Sequence, residues 1–268
     1  MGAGARAFLD TAMTHKVSAC IITFNEEANI RECLESVRWA DEIVVIDSGS
    51  TDGTAAICRE YTERVYVRDW PGHVAQKNRA IDAASHEWVF CIDADERVTP
   101  LLRSEIQGAL AGEPAHQGYT MPRLTWYLGR WMRHGSWYPD RKLRLFLRAA
   151  GRFTGQDPHD RAEVPGSVGR FRGDLLHYSY RGLAHHLRQI DKYTDTMARL
   201  KAEAGKGFPL ARMLVRPPAK FLKMYVLHAG FLDGAPGLIA AAMGGVYELM
   251  KYAKLWEITR RASARDRG

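Results

Sequence analysis

The sequence predicts an α/β protein: a mostly parallel sheet with helices on both faces, followed by a basic helical extension at the C-terminus. Three observations lead there. Four short, nearly continuous apolar runs alternate with segments of helical period in the first 112 residues, the pattern of strands buried on both faces of a parallel sheet. Three of the runs end on polar tips, at Asn25-Glu26, Asp47-Ser48 and Asp93-Ala94-Asp95. The charge is also divided: residues 1–180 carry 22 Lys/Arg against 24 Asp/Glu, and residues 181–268 carry 16 against 7.

The elements follow in order. VSACIIT (17–23) is the first strand. Asn25 is an N-cap candidate for a helix carrying Ile30, Cys33, Leu34 and Val37 on one face. EIVVID (42–47) is a β-branched strand closed by SGSTDG and a short helix to about Tyr61. RVYVRD (64–69) is the third strand, 73–84 the third helix and EWVFCID (87–93) the fourth strand. Thr99-Pro100 reads as N-cap and N1 of a helix with Leu102, Ile106, Ala109 and Leu110 inward. The aromatic and basic stretch 119–153 reads as strands and loops over the ligand edge of the sheet, and 181–204 as a helix. From 207 a proline-containing break precedes two apolar, partly basic segments, about 219–233 and 237–258.

In a parallel sheet, ligands bind at the carboxyl ends of the strands, which is where the polar tips gather. Asp93, Asp95 and Glu96 place three carboxylates within four positions. They repel one another unless a cation lies between them, and Asp93 and Asp95 can face one oxygen-rich cavity of the kind Mg²⁺ or Mn²⁺ takes. The plain alternative is that Asp95-Glu96 begins a solvated turn. Asp47 sits beside a loop of backbone amides and can accept from a base N–H or a sugar hydroxyl; a cap or turn role suits Asp52 better. No G-x-G-x-x-G follows the first strand and no P-loop is present. A DxDx[TV] phosphatase motif fails at Arg97. Cys20, Cys33, Cys58 and Cys91 follow no metal-ligand spacing and read as buried thiols of a cytosolic protein.

The segments VSACIITFNEEANIRECLESV, DEIVVIDSGSTDGT, GHVAQKNRAI and EWVFCIDADERV resemble the N-terminal half of inverting family 2 glycosyltransferases with the GT-A fold. GSWYPDRKLRLF, PHDRAEV, LLHYSY, GFLDGAPG and YAKLWE are similar to lipopolysaccharide inner-core β-1,4-glucosyltransferases. The resemblance spans about residues 16–258. It implies a UDP-sugar donor, Mg²⁺ or Mn²⁺ bridging the diphosphate, and the heptose of a lipid-anchored saccharide as acceptor. It places Thr23, Asn25 and Glu26 beside the uridine and Asp47 on the uracil or ribose. Lys77 and Asn78 then approach the nucleotide or diphosphate, Asp93 lies near the ribose and at the metal, and Asp95 holds the metal. Where relatives have a second Asp after Asp47, this chain has Ser48.

Inversion requires a base on the acceptor side to take the hydroxyl proton. The family's His-Glu falls on His159-Asp160, so Asp160 is the expected base, with Asp157 and Glu163 as alternatives. His177 is either a third metal ligand or a satisfied, partly buried imidazole. Arg144 or Arg141 either pairs with the diphosphate or acidic acceptor groups or lies on a solvated strand face. Trp137 and Tyr138 either stack on a sugar or pack as core or lid.

This divides the chain into an N-terminal tail (1–15), a GT-A domain (16–210) and a basic amphipathic extension (211–268). Within the domain the nucleotide-sugar half is about 16–112 and the acceptor half about 113–210. The first 15 residues contain no long apolar run, so a signal peptide is not expected. Nor is a spanning helix: the apolar stretch 235–247 is too short. Basic residues interleaved with aromatics in the extension suit an anionic membrane surface, at the cytoplasmic face of the inner membrane, or else a helical pair packed on the enzyme body. No nucleic-acid-binding motif accompanies the charge. The rival functions are transfer to a polyprenyl phosphate on the same fold, and a non-catalytic nucleotide- or glycan-binding scaffold.

Overall fold

The computed structural model describes residues 14–155, 160–205 and 208–265. Compactness divides the chain into two units, Met1–Arg123 with Asp140–His177, and Leu124–Pro139 with Tyr178–Gly268. In this division the long helix α5 (Leu183–Glu203) belongs with the C-terminal helices.

The first unit is a three-layer α/β/α sandwich. Strands β1 (Val17–Thr23), β2 (Glu42–Asp47), β3 (Val65–Val67) and β4 (Trp88–Asp93) run parallel in the order β3-β2-β1-β4. Alternate residues of β1 serve opposite faces, as the period of a strand requires. Val17, Ala19 and Ile21 pack with Ile30, Cys33 and Leu34 of α1 (Glu27–Ser36). On that same side lie Leu102, Ile106 and Leu110 of α4 (Pro100–Leu110). Cys20 packs instead with Ala80 and Ile81 of α3 (His73–Ala83). The short helix α2 (Thr54–Arg59) adds Cys58 to the α1 side. All four cysteines are free and buried.

Beyond β4 the next two strands pair antiparallel: β8 (Asp140–Leu147) with β4, and β6 (Gly118–Tyr127) with β8. The parallel expectation therefore holds for β3-β2-β1-β4 and gives way at the β4–β8 and β8–β6 pairs. Antiparallel strands need only a turn or short connection, and among the described residues no helix falls between α4 and α5. A short strand after the turn, β5 (Glu96–Val98), pairs antiparallel with β12 (Leu175–His177), placing His177 opposite Glu96. A separate two-stranded ladder joins β9 (Arg152–Thr154) to β10 (Arg161–Glu163). β11 (Val168–Arg170) lies parallel to β6.

Two local expectations change. Asn25 does not cap α1; it adopts a left-handed conformation (φ 54°), and its side-chain oxygen accepts from the Thr51 amide instead. The break expected around the prolines is absent. Helix α6 runs Leu210–Leu222 with Pro217 and Pro218 inside it, then continues as a π-helical turn, Lys223–Leu227. Two helix bonds are lost there, and packing against α7 (Gly234–Arg265) holds the segment straight enough to continue. Thr99, by contrast, caps α4 as expected, accepting from Leu102 N.

In the second unit the end of β6 forms a hairpin with β7 (Arg130–Met132). Tyr127 packs with Met132 and Ala240 and shares a 2.8 Å hydrogen bond with His186 Nδ1. Trp137 lies against Tyr127 and Tyr180, a core role, while Arg133 rests over the Tyr138 ring. Buried Asp233 accepts from the amides of Arg133 and His134. Among the described residues no single helix is long and apolar enough to cross a membrane. The pair Leu210–Leu227 and Gly230–Arg261, bent by 73°, passes by length and composition.

Candidate active site

The strand register brings the polar tips together. Thr23 stands opposite Asp47, and Ile22 opposite Asp93. The loops that follow β1 and β2 are stitched to each other. Asn25 N donates to Ser50 Oγ, Glu26 N to Thr54 Oγ1 and Gly53 N to Glu27 Oε2. Asp47, 1% exposed, turns its carboxylate into its own loop, accepting from Gly49 N, Ser50 N and Ser50 Oγ. Asp47 thus orders the SGS loop as a turn residue would, and Asp52 does the same for the start of α2 through Thr54. Gln76 of α3 reaches Ser48 Oγ at 2.9 Å and secures the loop from below. Thr23 is different: its hydroxyl is buried with no hydrogen-bond partner, a condition that costs stability unless something fills it.

The carboxylates after β4 are held apart by cations from distant segments. Asp93 Oδ2 accepts from Arg144 at 2.6 Å, and Asp93 Oδ1 lies 3.2 Å from Lys77 Nζ. Glu96 is fully buried and takes the same Arg144 guanidinium at 2.8 Å, with Arg123 at 3.4 Å. Arg123 continues to Asp140 at 2.6 Å, and Lys77 to Asp160 at 2.8 Å. The result is one ladder of alternating sign: Asp160, Lys77, Asp93, Arg144, Glu96, Arg123, Asp140. Glu96 is therefore an interior ladder member rather than the start of a solvated turn.

The electrostatics follow from that geometry. Burial alone would raise Asp93, but Arg144 and Lys77 overcome it and hold the carboxyl well below the usual range. Burial would lower Lys77; Asp93 and Asp160 offset this and keep its ammonium above the ordinary value. Burial likewise opposes the charge on Arg144, and Asp93 and Glu96 more than restore it. Asp93, Lys77 and Arg144 each keep their charge because oppositely charged neighbours offset burial.

Asp95 stands apart from the ladder. Its partner is His177, Nε2 to Oδ2 at 3.3 Å, delivered by the β5–β12 pairing. Burial pushes the Asp95 carboxyl up, and the imidazole more than compensates, leaving it below the usual carboxylate range. A carboxylate and an imidazole converging at a strand tip are hard and borderline donors of the kind a divalent cation accepts. Among the described residues no cluster of three or more His, Cys, Asp or Glu side chains forms a complete cage. Both oxygens of Asp93 face cations, whereas Asp95 faces the His177 imidazole.

The remaining candidates fall outside the centre. The Asn78 amide makes two bonds with the Phe153 backbone, donating to its carbonyl and accepting from its N–H, both at 2.9 Å. It tethers β9 to α3. Glu26 accepts from Asn29 at 2.7 Å. Arg144 is spent on Asp93 and Glu96, and Arg141 donates to Phe171 O. Glu163 is paired with Arg161 on β10. Asp157 and His159 lie outside the described residues. A cleft of about 720 Å³ lies elsewhere, among Arg31, Glu35, Asp41, Glu42, Tyr61 and Arg64. Its charges already pair with one another, as in Arg31–Glu60 and Tyr61–Glu35, so the carboxyl-end site is the better candidate. The Arg123–Glu96–Arg144 core of the ladder escaped the sequence reading; the one available signal was Arg144 set between Leu143 and Leu145 in a strand.

Residues 18–163 match glycosyl transferase family 2. Over 248 residues the chain is 34% identical to the lipopolysaccharide core biosynthesis glycosyltransferase LpsC of Rhizobium meliloti (strain 1021), covering 90% of this chain and 92% of that one. The chain belongs to glycosyl transferase family 2. This glycosyltransferase is also 28% identical over 257 residues to an uncharacterized glycosyltransferase of Rickettsia typhi, covering 91% of this chain and 88% of that one. Among solved structures it is similar to S. aureus TarS in complex with UDP-GlcNAc, at 16% identity and TM-score 0.48, covering 92% of each chain. Glucosyl-3-phosphoglycerate synthase of Mycobacterium tuberculosis with Mn²⁺ and UDP-glucose matches at 26% identity and TM-score 0.36, covering 42% of this chain and 44% of that one. The glycosyltransferase has the α/β, GT-A-like sheet with a C-terminal helical extension that the resemblance implied.

Proposed function

We propose that this glycosyltransferase moves a hexose, with glucose the first choice, from a UDP-sugar to a lipid-linked saccharide. The acceptor we assign is the heptose of the lipopolysaccharide inner core, reached at the cytoplasmic face of the membrane. The carrying observation is the Asp95–His177 pair at a strand tip, set beside a charge ladder that ends on Asp160. The relative with 34% identity, a lipopolysaccharide core biosynthesis enzyme, supports the acceptor class.

The donor's uridine belongs over the stitched loops, with the unpartnered Thr23 hydroxyl available to it. Asn25, Glu26 and the amides that Asp47 arrays form the wall of that pocket. Asp95 and His177 would hold Mg²⁺ or Mn²⁺, which supplies charge neutralisation of the leaving diphosphate when bound. Asp93, fixed between Lys77 and Arg144, lines the ribose side.

Asp160 takes the proton from the acceptor hydroxyl as that oxygen attacks the anomeric carbon from the face opposite the diphosphate. Its ion pair with Lys77 at 2.8 Å orients it before acceptor arrives. When the carboxylate gains the proton, Lys77 is still balanced by Asp93 at 3.2 Å, so no buried charge is stranded. Lys77 thus links the donor side of the site to the acceptor side.

The test is the purified chain with UDP-glucose, Mn²⁺ and lipopolysaccharide truncated at heptose. Addition of one hexose, read by mass spectrometry, supports the proposal. Transfer to a polyprenyl phosphate but not to heptose would reassign the acceptor, and no transfer to either would defeat the reading.

A further inference from the structure

Helix α6 has two apolar faces and only one of them is used. The inner face packs on α7: a Cβ on Gly244 would meet Met224 Sδ at 2.5 Å, and one on Gly245 would meet Pro217 O at 3.2 Å. Small residues on α7 therefore let the segment close in along Pro217, Phe221 and Met224. At 100° per residue, Leu214, Pro218, Leu222 and Val215 fall on a different sector about 100° wide. There Leu214 and Val215 are each 63% exposed and Leu222 54%. Val226 and Leu227 extend the exposed surface past the helix end, Leu227 at 78%. A surface of this kind on a folded protein marks an interaction site.

The charges beside it identify the occupant. Arg212, Arg216 and Lys223 share the next sector of the helix, forming a basic stripe along the apolar one. From Phe208 to Leu232 the chain carries four cations and no carboxylate. A second copy docked across a two-fold axis would set this stripe near its own image with nothing in the segment to neutralise it. A membrane span would place Arg216 and Lys220 at mid-helix in hydrocarbon. An anionic phospholipid surface satisfies both sectors together: leucines at the acyl boundary, cations at phosphate depth.

We infer that α6 lies in the plane of an anionic membrane with the Leu214–Leu222 sector inserted, as the docking element of the C-terminal unit. The inference deepens the lipid-linked-acceptor reading and rests on it for its purpose. The helix is a strap carried on α7.

The experiment is flotation of the full chain with vesicles of phosphatidylcholine alone or mixed with phosphatidylglycerol. Binding to the anionic vesicles is expected, weakening with salt. Leu214→Glu with Leu222→Glu should cut partitioning about tenfold per leucine. Arg212→Gln, Arg216→Gln and Lys223→Gln together should cut it on the order of a hundredfold on anionic vesicles, with little change on neutral ones. All five side chains are exposed and outside the donor site, so melting temperature and metal-dependent UDP binding should match wild type. Leu222→Trp should be quenched by lipids brominated along the acyl chain. Vesicle binding unaffected by either set of substitutions, or a solution dimer that Leu214→Glu/Leu222→Glu dissociates, would overturn the inference. Vesicle binding that behaves as expected in a chain showing no UDP release would defeat the transferase reading and leave this one standing.

Discussion

Replacing Arg144 with methionine removes the centre of the ladder while keeping most of the side chain's volume. In wild type that guanidinium reaches Asp93 at 2.6 Å and Glu96 at 2.8 Å, and its side chain is 4% exposed. Without it Glu96, fully buried, keeps the Arg123 cation at 3.4 Å and the Asp93 amide at 3.0 Å, and Asp93 keeps the Lys77 cation at 3.2 Å. Breaking a buried pair by removing one partner costs about 3–5 kcal/mol, a large share of a total of roughly 5–15. That translates into a fall of about 6–20 °C in melting temperature for a chain of this size. The pH dependence has a definite sign. Asp93 is depressed in the folded protein, so its stabilisation is present above the unfolded carboxyl pKa of about 4 and is lost as pH falls through the folded value. The penalty of Arg144→Met should therefore be full at neutral pH and shrink as the solution is acidified below about pH 4. Urea unfolding followed by tryptophan fluorescence, repeated across pH, measures it. Adding Glu96→Gln should recover part of the loss, because the stranded charge is gone. A neutral-pH cost under about 1 kcal/mol, or one that grows on acidification, would refute the ladder as the organiser of the site.

Asp160→Asn should lower transfer by about 10²–10⁴ while leaving UDP binding intact, as separate kinetic and calorimetric measurements would show; unimpaired transfer would eliminate Asp160. His177→Ala should raise the Mn²⁺ concentration needed for half-maximal UDP binding by at least about tenfold, and an unchanged metal titration would remove His177 from the ligand set. Asn78→Ala deletes both bonds to Phe153 and should lower kcat more than it raises the donor KM, with a stability loss of about 1–3 kcal/mol. A rise in donor KM alone would instead make Asn78 a nucleotide contact.

The first four strands could be read because each is a short apolar run, three of them ending on polar tips, and the tips share one edge by the rule for parallel sheets. The Asp95–His177 meeting was legible only through resemblance, since the two residues lie on strands with no local signal of pairing. Arg123 and Arg144 were harder still. A charged residue alternating with apolar ones in a strand ordinarily faces solvent, and only the fold places both on a buried carboxylate. Asn25 looked like a cap because its residue type favours caps; the left-handed backbone that Asn tolerates sent its side chain across to Thr51 instead. Pro217-Pro218 read as a break, and the packing of α6 on Gly244 and Gly245 of α7 overrode it.

Release of UDP from UDP-glucose by the purified chain, with Mn²⁺ or with chelator, and with or without heptose-terminated acceptor, addresses the central claim most directly. The account predicts slow metal-dependent release that acceptor accelerates and Asp160→Asn uncouples from UDP binding. Neither UDP release nor metal-dependent UDP binding by the wild-type chain would contradict it.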